Sequence, residues 1–204
     1  MDRITKFPLL DETGQEIVNS LEEINNSMGD YIAGINSYYA YLEDRKIGTL
    51  LSTEITKVRD YGLYERKSLI AIDLPKCVDV GYYSFRDCTN LKNVNLPECE
   101  EVGTSSFLHC TALSKIIFQK IKIMEVGAFE DCSNLETLVI KNDTRVCIMR
   151  KEGTTDALSG TKIESGNGYI YVPDKLVQRY KGEYNWVKYA NQIKPLSEYV
   201  ESEA

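Results

Sequence analysis

Three pentapeptides, SFRDC, SFLHC and AFEDC, end at Cys88, Cys110 and Cys132, 22 residues apart each time. The period reaches well beyond the cysteines. Leu69, Leu91, Leu113 and Leu135 are in register, as are Ile72, Val94, Ile116 and Leu138, and then Leu74, Leu96, Phe118 and Ile140. Val80, Val102 and Met124 follow, then Phe85, Phe107 and Phe129, and a weaker copy comes one period earlier in Ile47, Leu50, Ile55, Val58 and Leu63. A fixed period of this length predicts a solenoid, each unit one coil whose apolar face is buried only by its neighbours. Four units, with a fifth before them, span about residues 45–145.

Within a coil, NLKNVNLP and NLETLVI read as short strands. Val94 and Leu96 alternate with Asn93 and Asn95, so one face is buried and the other wet. Strands of successive coils stacked about 4.8 Å apart make one parallel sheet. Its outward rows run Ala71, Asn93, Lys115, Thr137 and Asp73, Asn95, Ile117, Val139. Asn93, Asn95, Lys115, Ile117, Thr137 and Val139 form the candidate partner face. Ile117 and Val139 are apolar on a face that should be solvated, so either the C-terminal segment folds over them or a partner does.

CTNLKNVNLP, CTALSKIIF and CSNLETLVI, each led by SF or AF three residues before its cysteine, resemble the BspA-like bacterial leucine-rich repeat family. GYIYVPDKLVQRYKGEYNWVKYANQIKPLSEY is similar to the closing segment that follows such repeats, and the resemblance covers about residues 45–199. It implies an α/β-type leucine-rich repeat solenoid with short parallel strands and a C-terminal strand/helix cap. It also implies a recognition or adhesion role, and carries over no catalytic residue. Three segments are expected: an acidic N-terminal helical segment 1–44, a solenoid 45–149 and a capping segment 150–204.

The net charge of −7 sits in one place: residues 1–44 hold Arg3 and Lys6 against nine acidic residues, and the remainder is balanced at 22 basic and 22 acidic. No basic patch emerges, which argues against nucleic acid as a partner. No apolar run approaches the roughly 18 residues of a membrane span. MDRITKFPLLDETG has no apolar core of a secretory signal, so the expectation is folding in a cytoplasm with reduced thiols. Such a protein fits a virion component, a phage fibre or appendage; a bacterial cell-surface adhesin is the alternative. With no glycine-rich phosphate loop and no GxSxG, an enzyme is not expected, and no catalytic, cofactor or metal residues are assigned.

Equivalent residues of parallel coils point their Cβ atoms the same way, whereas a disulfide needs them to converge. Cys88, Cys110 and Cys132 are therefore expected to be free thiols packed as small hydrophobes. Cys77 and Cys99 form a second row, continued by Ile121, which marks the position as apolar filler; Cys147 has no assigned row. A straight ladder cannot make the tetrahedron that zinc needs. His109, the single histidine, is equivalent to Asp87 and Asp131, so it reads as a solvated turn residue and not as the base of Cys110.

At the C-terminal end, Asp174 after Pro173 can start a short helix with Leu176, Val177 and Tyr180, and a second helical stretch carries Trp186, Tyr189 and Ile193 up to Pro195; these aromatics are expected to pack on the last coil. Residues 150–168 read as a loop or irregular last coil. At the N-terminal end, Ile17, Leu21, Ile24, Met28, Tyr31, Ile35, Tyr38 and Leu42 recur as an unbroken heptad seam. Gly29 and Gly34 weaken it by about 1 kcal/mol each, and Val18, Ile32, Tyr39 and Tyr41 widen the apolar stripe. Such a stripe suits a helix lying on its own first coil, a self-associating stalk with a trimer favoured, or a helix for another protein. Deleting residues 1–42 separates these. A stalk gives an oligomeric intact chain and a folded monomer on deletion, by light scattering. A cap gives an intact monomer whose deletion exposes Leu50 and Ile55 and lowers the melting temperature. An intact monomer that keeps its stability on deletion contradicts both.

Overall fold

In the computed structural model, residues 48–53 and 55–201 are described; the heptad seam Ile17 to Leu42 lies outside them. Strand pairing in a 22-residue register builds the stack. Seven parallel strands form the first sheet in the order β1 (Thr49–Leu51), β3 (Ala71–Asp73), β5 (Asn93–Asn95), β7 (Lys115–Phe118), β9 (Thr137–Ile140), β13 (Tyr169–Val172) and β14 (Ile193–Pro195). Thr49 pairs with Ala71, Ala71 with Asn93, Asn95 with Ile117 and Lys115 with Thr137. A second parallel sheet, absent from the single-sheet expectation, runs β2 (Lys57–Val58), β4 (Asp79–Val80), β6 (Glu101–Val102), β8 (Ile123–Met124) and β10 (Ile148–Met149). Its strands are two residues long, too short to show an alternation in sequence.

The remainder of each coil is a run of turns, at residues 60–65, 82–87, 104–109 and 126–131, where other solenoids carry a helix. Alternate amides of each run donate to the next coil: Leu63 to Ser84 O (2.7 Å), Phe85 to Ser106 O (2.7 Å), Phe107 to Ala128 O (2.8 Å). Two residues later, Glu65 donates to Arg86 O, Asp87 to Leu108 O and His109 to Glu130 O. This third ladder needs the chain to reverse between donors. Two positions per coil accordingly have positive φ: Tyr61, Tyr83, Ser105 and Gly127, and then Glu65, Asp87, His109 and Asp131. Asp and His are among the residues that tolerate that region best. Gly103 meets a different demand. A Cβ there would lie 2.8 Å from Val80 O, so glycine lets two coils approach.

The core is a set of columns. Phe85, Phe107 and Phe129 are fully buried and stack with ring centroids 5.0 and 5.2 Å apart and planes within 14°, a separation set by the strand spacing. Among the described residues no helix is long and apolar enough to cross a membrane.

The period breaks after β9. Thr137 pairs with Tyr169, 32 residues on. This coil, ten residues longer than the repeats before it, holds the hairpin of β11 (Lys151–Glu152) and β12 (Thr155–Asp156) and an irregular stretch with Leu158 and Ile163 buried. A 3-10 turn at Asp174–Leu176 leads into α1 (Val177–Gly182). Asp174 is not a cap; its carboxylate accepts the Ser197 amide instead (3.0 Å). The second expected helix shrinks to a 3-10 turn, Val187–Tyr189, and Ile193 enters β14. Pro195 ends that strand, and an edge strand accepts a proline because one row of its amides needs no partner.

Tyr180, Trp186 and Tyr189 are the cap's buried anchors. Trp186 Nε1 donates to Cys147 O (2.7 Å), and Tyr180 OH accepts the Cys147 amide (2.8 Å). Tyr189 OH donates to the buried Asp156 (2.7 Å). Each ring thus buries its body against the last coil and satisfies its polar tip.

Replacing Phe107 by Ala removes the middle ring of the column and should destabilise by about 3–5 kcal/mol. Tyr184→Ala, at a ring 75% exposed, should change stability by less than about 1 kcal/mol. Urea unfolding of the two variants checks the contrast.

Candidate functional site

The outward rows of β3, β5, β7 and β9 stand together on one face, as the alternation requires. Asn93 and Asn95 are exposed, and Lys115, Ile117 and Thr137 are half-buried. Asn95 Nδ2 donates to Asp73 Oδ1 in the preceding coil (2.7 Å). A groove of about 430 Å³ crosses this face. Asn93, Asn95, Lys115 and Ile117 line it, so four of the six residues named from sequence share one concavity. Lys92 and Lys141 lie at its two sides, and Glu201 of the closing segment reaches it.

Val139 is corrected. It is fully buried and does not belong to an exposed face. Its row continues to Tyr171 of β13, whose ring packs on Tyr199 (5.1 Å), so the closing segment folds back over this end of the sheet. Thr137 does not line the groove either. Lys92, Lys141 and Glu201 were missed. The first two sit just outside the strands, where alternation no longer says which way a side chain points. Glu201 arrives from a segment distant in sequence.

Charge is distributed unevenly over the surface. Along the other edges, cations pair with carboxylates one coil away: Lys57 with Asp79, Lys120 with Glu98 (2.5 Å), Lys122 with Glu100 (2.5 Å), Arg150 with Glu125 (2.8 Å) and Lys162 with Glu136 (2.8 Å). Exposed pairs of this kind contribute about 0–1 kcal/mol each. Among the described residues, Lys92, Lys115 and Lys141 have no carboxylate partner.

The cysteines are all buried and unbridged. Cys88 Sγ donates to Leu63 O, Cys110 Sγ to Phe85 O and Cys132 Sγ to Phe107 O, at 3.0–3.1 Å. Cys77 and Cys99 donate to the carbonyls two residues on, of Asp79 and Glu101. Cys147, unassigned from sequence, is the residue whose backbone holds the cap. His109 faces away from this chemistry. Its Nδ1 lies 2.7 Å from Asp87 and its Nε2 3.5 Å from Asp131, so the ring bridges three coils along the turn edge. No group of three His, Cys, Asp or Glu that could hold a metal ion occurs among the described residues.

Two parallel ladders of short strands with a 22-residue coil define a leucine-rich repeat solenoid. The chain belongs to the BspA type leucine rich repeat family, whose repeat profile matches residues 51–165 in six copies. A crystal structure of a leucine rich repeat protein from T. pallidum is similar, with a TM-score of 0.52 and 20% identity over 63% of this chain and 60% of that one. A leucine-rich repeat protein from Bacteroides ovatus gives a TM-score of 0.45 and 17% identity over 73% of this chain and 42% of that one. The chain thus spans less than two thirds of either protein. No curated protein matches the sequence.

Burial raises the Cys77 thiol from its ordinary 9.0 to about 11, and Cys88 and Cys147 to about 12. Cys99 and Cys110 are raised as well, again by burial. Native thiols should therefore react slowly with an aromatic disulfide at neutral pH, and all six should react in denatured, never-reduced protein. Above about pH 9 the unfolded chain loses thiol protons that the native chain keeps. Stability should then fall as pH rises, by about 1.4 kcal/mol per pH unit for each such thiol. Urea midpoints from pH 8 to 10.5 should show that fall, with a shallower slope for Cys99→Ala; a flat profile would contradict it.

Proposed function

We propose that this protein is a non-catalytic interaction protein that holds a protein partner on the exposed face of its first sheet. The observation that carries the reading is the groove across β3, β5 and β7, where polar side chains, an apolar Ile117 and unpaired lysines meet on a rigid scaffold. Main-chain ladders fix the spacing of these side chains, and a rigid element presents a binding surface with little ordering cost. Within that class we assign a structural or adhesive role, with the acidic segment before residue 45 as anchor and the sheet face as the presented surface. A virion appendage and a bacterial surface adhesin are the two settings that suit this division of labour, and particle-bound against cell-bound location separates them.

A photo-activated cross-linking residue at Asn93 should capture the partner, and the same residue at Glu152 on the β11–β12 hairpin should not. Asn95→Arg combined with Lys115→Glu should abolish capture while changing stability by less than about 1 kcal/mol. Capture by the double variant at the level of the unaltered chain would remove the face from consideration.

A further inference from the structure

We propose that the groove receives an acidic, extended polypeptide segment, whose carboxylates pair with Lys92, Lys115 and Lys141. The inference rests on the reading of this face as the partner site and names the chemistry of the partner.

The charge pattern is the first argument. Elsewhere on the solenoid, several cations pair with carboxylates of the adjacent coil, as in Lys120 with Glu98 and Lys122 with Glu100; others, such as Lys67 and Lys181, do not among the described residues, and what sets the groove apart is that three such lysines line one concavity. The three groove lysines have no such partner among the described residues, although the 22-residue offset would allow one: Lys115 is flanked in its row by Asn93 and Thr137, and Lys141 is preceded by Gln119. Of the two carboxylates that line the groove, Asp73 is engaged by Asn95. The other is Glu201, brought in by the closing segment. Residues 45–204 are balanced at 22 basic and 22 acidic, so a groove lined by three lysines against Asp73 and Glu201 is a locally cationic depression on a neutral body, and it favours anionic ligands.

Geometry is the second. Lys92 lies just before β5, Lys115 opens β7 and Lys141 lies just after β9, so two cations stand where the strands begin and one where they end. A segment laid across the sheet meets a charge at each side, the amides of Asn93 and Asn95 for its main-chain groups, and Ile117 beneath. That set recognises a polypeptide backbone bearing spaced carboxylates. A compact anion would need the lysines to converge on one point.

Glu201 is the third. The closing segment already places one carboxylate of a polypeptide at this groove, and the sequence continues Ser202, Glu203.

The experiment uses the full chain and two fluorescent decapeptides, alternating Glu-Ser and alternating Gln-Ser, read by anisotropy. The Glu-Ser peptide should bind at least tenfold tighter than the Gln-Ser peptide and weaken as salt rises from 50 to 500 mM, which screens the pairs. Lys115→Glu and Lys141→Glu should each weaken it about two- to fivefold, the worth of about one exposed ion pair, with Lys115→Gln intermediate. Lys181→Glu in α1, outside the groove, should leave it unchanged. Equal affinity for the two peptides, or equal loss from Lys181→Glu, would overturn the proposal. A partner that cross-links at Asn93 but is not displaced by the Glu-Ser peptide would also overturn it, and would leave the partner face standing. Absence of both peptide binding and cross-linking would take down both readings.

Discussion

Hydrogen bonds from one coil to the next set every other distance in the molecule. Two sheets and a run of turns each contribute a ladder, and all three repeat every 22 residues. Because the ladders fix the rise per coil at about 4.8 Å, each core position has a neighbour of its own kind above and below. A flat ring suits such a column, and Phe85, Phe107 and Phe129 stack within about that rise. A side chain of another shape would have to be matched in the adjacent coils.

The cysteine rows follow from the same constraint. A buried position beside the Phe column has room for a small group, and it faces a carbonyl of the preceding coil that already accepts a main-chain amide: Phe85 O takes both the Cys88 amide and the Cys110 thiol. A thiol is apolar enough to bury and still donates weakly to that carbonyl's second lone pair. The pentapeptides that mark the sequence are steps of a packed column, and the burial that makes Cys88 and Cys110 good filler also suppresses their ionisation.

The repeat strands of the first sheet, the apolar rows and the free thiols were legible in the sequence because a strict period exposes any position that must stay apolar. The second sheet was not, since two-residue strands such as Glu101–Val102 carry no alternation. Nor was the third ladder, whose signal is backbone conformation: Asp87 and His109 read as solvated turn residues, which they are, yet their amides hold adjacent coils together. For the site, Asn93, Asn95, Lys115 and Ile117 followed from alternation. Val139 drops out of the partner face: it is buried, and of the two alternatives the sequence left open for it, the closing segment, with Tyr171 and Tyr199, folds back over this end of the sheet. Ile193 failed for a related reason: its helical spacing in sequence was overridden by an open sheet edge that only the folded stack provides.

A stack of this kind makes function a matter of surface, since the interior is committed to the period and one wet face is left to vary. The account stands on the claim that the turn runs hold coils together as firmly as strands do, and native-state amide hydrogen exchange tests it most directly. The amides of Phe85, Asp87, Phe107 and His109 should be protected to a degree comparable with the strand amides of the first sheet. Exchange at the rate of ordinary surface turns would contradict the claim and reduce the solenoid to two sheets joined by loops.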